Sequence, residues 1–421
     1  MHPVLVELQN RGLINQSTDI SVLSSLLDNG SSVYCGFDPT ADSLHIGSLL
    51  PLMTMKVLKE YGVNVIALVG GATGRIGDPS FKAQERKLLD EAMVEHNIAG
   101  ITTLIRSFLG SDTVIVNNFD WTKDLSVLDF LRIYGKCFSV NTMISKESVR
   151  SRIERPDQGI SFTEFTYPIL QGMDFEHLYN GGCAIQIGGS DQWGNMIAGT
   201  DLIHKMHGND KQCGVITLPL LLKSDGTKFG KSETGTVWLS PDKTSAYHMY
   251  QFWVNISDDE MYTMYQYFKP MSLTLDEFKH EMSINAVAMK KEFAYLMTSL
   301  IHGVDKADQA HNISQFIFGE KVVLDNDTIV MMQQSGMGHR SIITDSNNLV
   351  STLVELGLAK SKKMAREFIT NGAAKVNGRK INEFFNPATN EFIEDVDMFD
   401  MKYYVIQCGK TNFFVVENRR I

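Results

Sequence analysis

The sequence predicts an α/β protein with a parallel-sheet domain first, a helical domain next and a small α+β module last. Three observations predict it. The run Val63-Asn64-Val65-Ile66-Ala67-Leu68-Val69 is almost wholly apolar and empties into Gly70-Gly71-Ala72-Thr73-Gly74, the pattern of a strand buried on both faces that ends at a ligand-facing loop. From about residue 243 to 333 Gly and Pro become rare while Met, Phe and Tyr recur at helical spacing, which predicts helices with those positions as core. Beyond residue 349 a capped amphipathic stretch precedes an Asn-Gly hairpin signal.

Composition sets the outer limits. A chain of 421 residues, 43% of them hydrophobic, can bury a large core and should form two or three domains. No apolar run approaches the roughly 18 residues of a membrane span. The start Met1-His2-Pro3-Val4 also lacks the basic opening of a signal peptide, so the expectation is a cytoplasmic protein with no membrane partner. Cys35, Cys137, Cys183, Cys213 and Cys408 are scattered and never paired as C-x-x-C, which argues against a disulfide framework and against a cysteine metal site. A net charge of -10 excludes a chain that binds nucleic acid over its whole surface, because phosphate contacts need concentrated Lys and Arg.

In chain order, Ser32-Val33-Tyr34-Cys35-Gly36-Phe37 is the first strand-like run. The segment Asp38-Pro39-Thr40-Ala41-Asp42-Ser43-Leu44-His45-Ile46-Gly47 then opens an amphipathic stretch. That order puts His45 at a helix N-terminus, where free N–H groups and the dipole attract phosphate, and Gly47 where a ligand can approach the backbone. Tyr167, Gln171 and Asp174 recur at intervals of four and three, so a helix presents all three on one face toward a small pocket. Ile185-Gln186-Ile187-Gly188-Gly189-Ser190-Asp191-Gln192-Trp193-Gly194-Asn195 is a strand breaking into a polar Gly-rich loop; the Gly pair by itself equally fits a tight turn. Lys228-Phe229-Gly230-Lys231-Ser232 sets two ammonium groups around a Gly, suited to a loop that closes over a polyphosphate, although such a run also describes a solvated loop. Neither G-x-G-x-x-G nor a P-loop motif occurs, so a nucleotide must be held another way.

Residues 334–348 are small and polar and read as a linker. Between residues 360 and 380, Lys360, Lys362, Lys363, Arg366, Lys375, Arg379 and Lys380 face a single acid, Glu367, for a local charge of +6. Ser361 can cap a helix there, Asn371-Gly372 can end it, and Asn377-Gly378 can turn the hairpin. A solubilising helix would carry the same charge; the helix-then-hairpin order resembles the S4 RNA-binding module.

Taken together, Tyr34 to Gly47, Val69 to Gly74, Gly77-Asp78-Pro79-Ser80, Gln186 to Asn195 and Lys228 to Ser232 resemble the bacterial tyrosyl-tRNA synthetases in order over nearly the whole chain. The resemblance implies a class I enzyme with a Rossmann-type catalytic domain (1–222), a signature loop and helical anticodon-side domain (223–333), the linker, an S4-like RNA-binding domain (349–421), and a homodimer. The implied substrates are L-tyrosine, ATP with Mg2+, and tRNA(Tyr), with no tightly bound cofactor. Carried over by position, Tyr34 and Asp174 hold the phenol, while Asp78, Tyr167 and Gln171 hold the α-ammonium. Cys35, Gly36, Asp38, Gly188, Asp191 and Gln192 serve the adenylate, Thr40, His45, Gly47 and Ser48 the ATP, and Lys82, Arg86, Lys228 and Lys231 close over pyrophosphate. The seven cations between 360 and 380 meet tRNA. Ser48 departs from the second His of the family's H-x-G-H signature; a hydroxyl still donates a hydrogen bond, so the expectation is a modest loss. A nucleotidyltransferase of the same superfold would not need the Tyr34/Asp174 pair. A synthetase-derived RNA-binding protein without charging activity could lose Asp78, Gln192, Lys228 or Lys231, and all four are present.

Overall fold

The computed structural model describes the chain except residues 81–88, 155–158, 223–228, 233–234, 318–324, 337, 343–348, 394–402, 410–411 and 419–421. The first sheet contains β1 (Gln16–Ser17), β2 (Val33–Phe37), β3 (Val65–Val69), β4 (Val114–Asn117), β5 (Ile185–Gly189) and β6 (Gly214–Leu218), in the order β1-β6-β5-β2-β3-β4. All neighbours are parallel except the edge pair of β1 and β6. Strand apolarity follows from helices covering both faces: Val33, Tyr34, Cys35 and Phe37 of β2 are buried, as are Val65, Ala67, Leu68 and Val69 of β3.

The chain leaves β2 for β3 on one side and returns beside β2 at β5, so the strand order reverses between β2 and β5. Those two strands pair only from Val33↔Ile185 to Cys35↔Ile187, whereas β2 and β3 stay paired through Phe37↔Val69. The sheet therefore opens past Cys35, and such a switch point is where α/β sheets hold ligands. The helices Leu49–Glu60, Phe162–Asn180 and Trp193–His207 follow the site-forming loops.

The chain divides into two units, Met1–Ser240 with Ser257–Asp276, and Pro241–Ile256 with Glu277–Ile421. This differs from the boundary at 222 expected from the resemblance, because backbone hydrogen bonds tie the following segment to the first unit. Phe229 N–H donates to the Leu221 carbonyl (3.0 Å), Ile46 N–H to Val237 (2.9 Å) and Leu239 N–H to Leu44 (2.8 Å). The short strands β7 (Lys231–Ser232) and β8 (Gly235–Thr236) pair within this segment. The helix Asp258–Phe268, expected in the helical domain, also belongs to the first unit, where Gln266 donates to the Asn10 carbonyl.

In the second unit the helices Ala246–Val254, Leu275–His302, Val304–Ile317 and Asn326–Gln334 supply the predicted helical core, with Trp253 edge-on to Phe293 at 5.6 Å. Asn285 breaks the long helix (φ -149, ψ 81) and its Oδ1 accepts from Ala288 N–H at 3.1 Å, starting the second half. Residues 338–342, which composition assigns to a linker, form β9 (Gly338–Ile342). Their polar, glycine-containing sequence carries no strand signal; parallel pairing with a distant partner makes the strand. The hairpin β10 (Ala374–Val376) and β11 (Arg379–Lys380), a pair of two-residue strands β12 (Phe385–Asn386) and β13 (Glu391–Phe392), then β14 (Tyr403–Cys408) and β15 (Asn412–Asn418) follow. The sheet order is β11-β10-β14-β15-β9. Ser361 Oγ accepts from Met364 N–H (3.2 Å) to cap the helix Lys362–Thr370, and Asn377 (φ 46) with Gly378 (φ 77) form the left-handed turn expected of an Asn-Gly hairpin.

Candidate active site

At the switch point lies a cavity of about 510 Å³. It gathers Tyr34, Cys35, Gly36 and Asp38 from β2 and the loop after it, Thr40, His45, Gly47 and Ser48 from the entry to the Leu49 helix, and Asp78 from the loop beyond β3. Tyr167, Gln171 and Asp174 enter from one face of the Phe162 helix, as their spacing predicts, and Gly188, Asp191 and Gln192 from the end of β5. Lys82, Arg86 and Lys228 lie outside the described residues, and Lys231 is described only in its backbone, within β7.

At the deep end, Tyr34 is 1% exposed and its Oη has no hydrogen-bond partner among the described residues. Burial with the nearby Asp174 charge raises the Tyr34 hydroxyl well above its ordinary range, so it remains a donor. Asp174 is buried too; its Oδ2 accepts from Asn118 Nδ2 (2.9 Å) and its Oδ1 from Trp121 Nε1 (3.0 Å). Burial pushes the Asp174 carboxyl up to about 7, against those two hydrogen bonds, which favour the charged form, and with a further upward push from Asp38. Asn118 is fully buried and also binds Thr73 Oγ1 (3.0 Å) and Ala72 N–H (2.7 Å). Thr73 in turn donates to Asp38 Oδ1 (2.7 Å), whose Oδ2 accepts from Tyr167 Oη (2.8 Å). One hydrogen-bonded chain thus runs from Trp121 and Asp174 to Tyr167.

Across the cavity, Asp78 Oδ2 accepts from Gln192 Nε2 (2.7 Å) and Asp78 Oδ1 from Ser80 N–H (3.0 Å). Gln171 Oε1 and Gln186 Oε1 are buried without a hydrogen-bond partner among the described residues. Unpaired buried acceptors of this kind cost about 1–3 kcal/mol each until a ligand donates to them. Burial lifts the Cys35 thiol to about 12, so it is a neutral group and no nucleophile.

His45 begins the turn Ile46–Ser48 that leads into the Leu49 helix, and its Nδ1 accepts from Gly47 N–H at 3.0 Å. In the neutral ring that leaves Nε2 as the proton-bearing donor. A Cβ on Gly47 would lie 2.7 Å from His45 Cε1, so a larger residue there would displace the folded-back imidazole. Gly230, at φ +90, packs on Ile46 so closely that a Cβ would collide with it. The signature loop and the His45 turn are therefore fitted to each other. Ser48 lines the cavity and makes no side-chain cap to the Leu49 helix.

Sequence reasoning missed Asn118 and Trp121, and it gave no role of their own to Thr73 and Gln186, which lie within the motifs. Gln186 interrupts the apolar run of β5 and stands opposite Tyr34 in register, a polar residue where a buried strand should have none. Asn117-Asn118 likewise end the apolar β4, while Trp121 carries no such signal. The seven basic residues lie in the second unit: Lys360, Lys362, Lys363, Arg366 and Lys380 are exposed, and Lys375 and Arg379 half-buried, Arg379 over the Phe384 ring at 5.3 Å. No cluster suited to a metal ion occurs among the described residues, and no helix of them is long and apolar enough to cross a membrane.

A parallel sheet with its crevice at the switch point, a His-x-Gly turn at a helix start and a lysine-bearing loop fitted against that turn define a class I tRNA synthetase. The family described as tRNA synthetases class I (W and Y) matches residues 28–319, and the one described as Tyrosine--tRNA ligase SYY-like C-terminal domain matches 330–416. Tyrosine--tRNA ligase 1 of Vibrio parahaemolyticus is 43% identical, covering 99% of both chains, and the Tyrosine--tRNA ligase of Listeria welshimeri is 43% identical over 98% of this chain and 99% of its own. Among solved structures, a C-terminally truncated Aspergillus nidulans mitochondrial tyrosyl-tRNA synthetase matches with a TM-score of 0.65 and 28% identity, over 74% of this chain and 93% of that one. A tryptophanyl-tRNA synthetase from Encephalitozoon cuniculi shares the fold, with a TM-score of 0.53 at 14% identity over 72% of this chain and 86% of its own. The chain belongs to the tyrosine–tRNA ligase family of class I synthetases.

Proposed function

We propose that this protein activates L-tyrosine with Mg·ATP and transfers it to tRNA(Tyr). The observation that carries the reading is the pair at the deep end of the cavity, a buried Tyr34 hydroxyl with no partner among the described residues beside a buried carboxylate, Asp174, held by two donors. A phenol fits that pair: its O–H donates to Asp174 and its oxygen accepts from Tyr34. Phenylalanine would leave the Tyr34 hydroxyl without a partner and set an apolar ring edge against the Asp174 carboxylate. For this enzyme type, discrimination of the missing hydroxyl is about 10⁵-fold.

Asp78, Tyr167 and Gln171, which line the same cavity, would hold the α-ammonium, and Asp38, Asp191 and Gln192, also in its lining, would hold ribose and the reacting carboxylate. Thr40 and the His45 Nε2–H would bind terminal phosphates, with Ser48 donating nearby. Lys82, Arg86, Lys228 and Lys231 would supply the cations that stabilise pyrophosphate as it leaves. The tyrosine carboxylate attacks the α-phosphate, the bond to pyrophosphate breaks, and the terminal ribose hydroxyl of tRNA then takes the tyrosyl group from the adenylate. No protein nucleophile takes part, in keeping with the neutral Cys35 thiol. Catalysis consists of positioning and electrostatics.

The basic face between 360 and 380 would meet tRNA phosphates. A homodimer would cover exposed apolar side chains such as Val127 (73%), Leu128 (71%), Val140 (57%) and Phe162 (74%). Five free cysteines suit a reducing cytoplasm. Charging of unfractionated bacterial tRNA with labelled tyrosine tests the whole reading. Tyrosyl-tRNA formation is expected; adenylate formation without transfer would refute the second half-reaction.

A further inference from the structure

We propose that His177 is a positioning residue for tyrosine recognition, acting through the Trp121 indole on Asp174; this rests on the reading that Asp174 binds the phenol. Asp174 takes both of its hydrogen bonds from one short stretch, Asn118 and Trp121. Asn118 is buried and tied at three points, to Ala72, Thr73 and Asp174. Trp121 is held differently. It sits in a helix of only four residues, Phe119–Thr122, and is half-buried, packed in part against the core around Tyr34, Phe175 and Leu178.

What lies on its ring is His177. The two rings stack with centroids 4.2 Å apart and planes 16° from parallel. His177 follows Asp174 by three residues on the Phe162–Asn180 helix, so the two side chains project from the same face, one turn apart. The indole spans that turn, its N–H on the carboxylate and its face on the imidazole. The same stretch is gripped next door, where the Arg75 guanidinium lies over Phe119 at 4.2 Å while its Nε donates to the Gly71 carbonyl at 3.2 Å. His177 is exposed and does not line the cavity, so its effect passes through Trp121. Without the imidazole the indole can pivot, and Asp174 loses a donor that holds its carboxylate toward the phenol.

The test is steady-state pyrophosphate exchange with the full-length protein. His177→Ala should raise the tyrosine KM about two- to tenfold, the worth of one stacked aromatic pair, with kcat within twofold of wild type. His177→Phe, which keeps a flat ring, should restore KM. In a Trp121→Phe background, which lacks the N–H, His177→Ala should add nothing. A wild-type KM in His177→Ala, failure of His177→Phe to rescue, or multiplying effects in the double variant would each overturn the proposal. Asp174→Asn separates the two readings: if it leaves the tyrosine KM unchanged, the phenol assignment and this proposal fall together, whereas a damaged Asp174→Asn beside a normal His177→Ala removes only the role of His177.

Discussion

Removing the Asn118 donor should move the pH dependence of tyrosine activation upward. Asp174 titrates at about 7 because burial outweighs the hydrogen bonds from Asn118 and Trp121. A protonated Asp174 carries an O–H that competes with those donors and accepts poorly from the phenol, so kcat/KM for tyrosine should rise with pH through about 7 and level off above it. A hydrogen bond to a charged group contributes about 1.5–3 kcal/mol, and one pKa unit is about 1.4 kcal/mol. Asn118→Ala should therefore lift the midpoint by about 1–2 units, with the sign set by the loss of a bond that stabilises the charged form. At pH about 7.5 the ionised fraction then falls about three- to 25-fold, and the deficit closes as pH rises further. The assay is kcat/KM for tyrosine in pyrophosphate exchange from pH 6 to 10, with melting curves to verify folding. An Asn118→Ala profile reduced by one constant factor with its midpoint unmoved would refute the reasoning.

Other outcomes follow from the same geometry. Tyr34→Phe removes a buried hydroxyl that has no partner among the described residues, so thermal stability should hold or rise while tyrosine kcat/KM falls about two- to tenfold and phenylalanine is better tolerated. Lys362→Ala and Lys363→Ala, exposed on the +6 segment, should each lower the slope of log tRNA affinity against log salt by about 0.7–0.9, measured by filter binding. Truncation from residue 337 should abolish charging yet spare exchange. A cut at 349 should yield a less soluble product, because it leaves β9 without the β15 strand it pairs with.

How much of this was legible in advance differs from element to element. The strand before Gly70, the Tyr167 helix face and the Ser361-capped helix with its Asn-Gly turn could be read because each is local: apolarity, periodicity of 3.6 and turn chemistry act over a few residues. β9 could not, since its partner lies about 75 residues on and its own residues favour a loop. The domain boundary moved from 222 to about 240 for the same reason, as hydrogen bonds between 229–239 and the 44–46 turn have no counterpart in composition. Of the candidate site residues carried over by motif, those from Tyr34 to Ser48, Asp78, Tyr167, Gln171, Asp174, Gly188, Asp191 and Gln192 line one cavity, while two residues that orient Asp174 lie outside the motifs. Asn118 and Trp121 reach Asp174 from a different strand end, a relation fixed by strand order.

The most direct test of the central claim is ATP–pyrophosphate exchange by the purified protein with tyrosine, tryptophan and phenylalanine offered separately, without tRNA. The Tyr34/Asp174 pair predicts exchange with tyrosine alone, lost on Asp174→Ala. Exchange with tryptophan, or tyrosine exchange that survives Asp174→Ala, would contradict it.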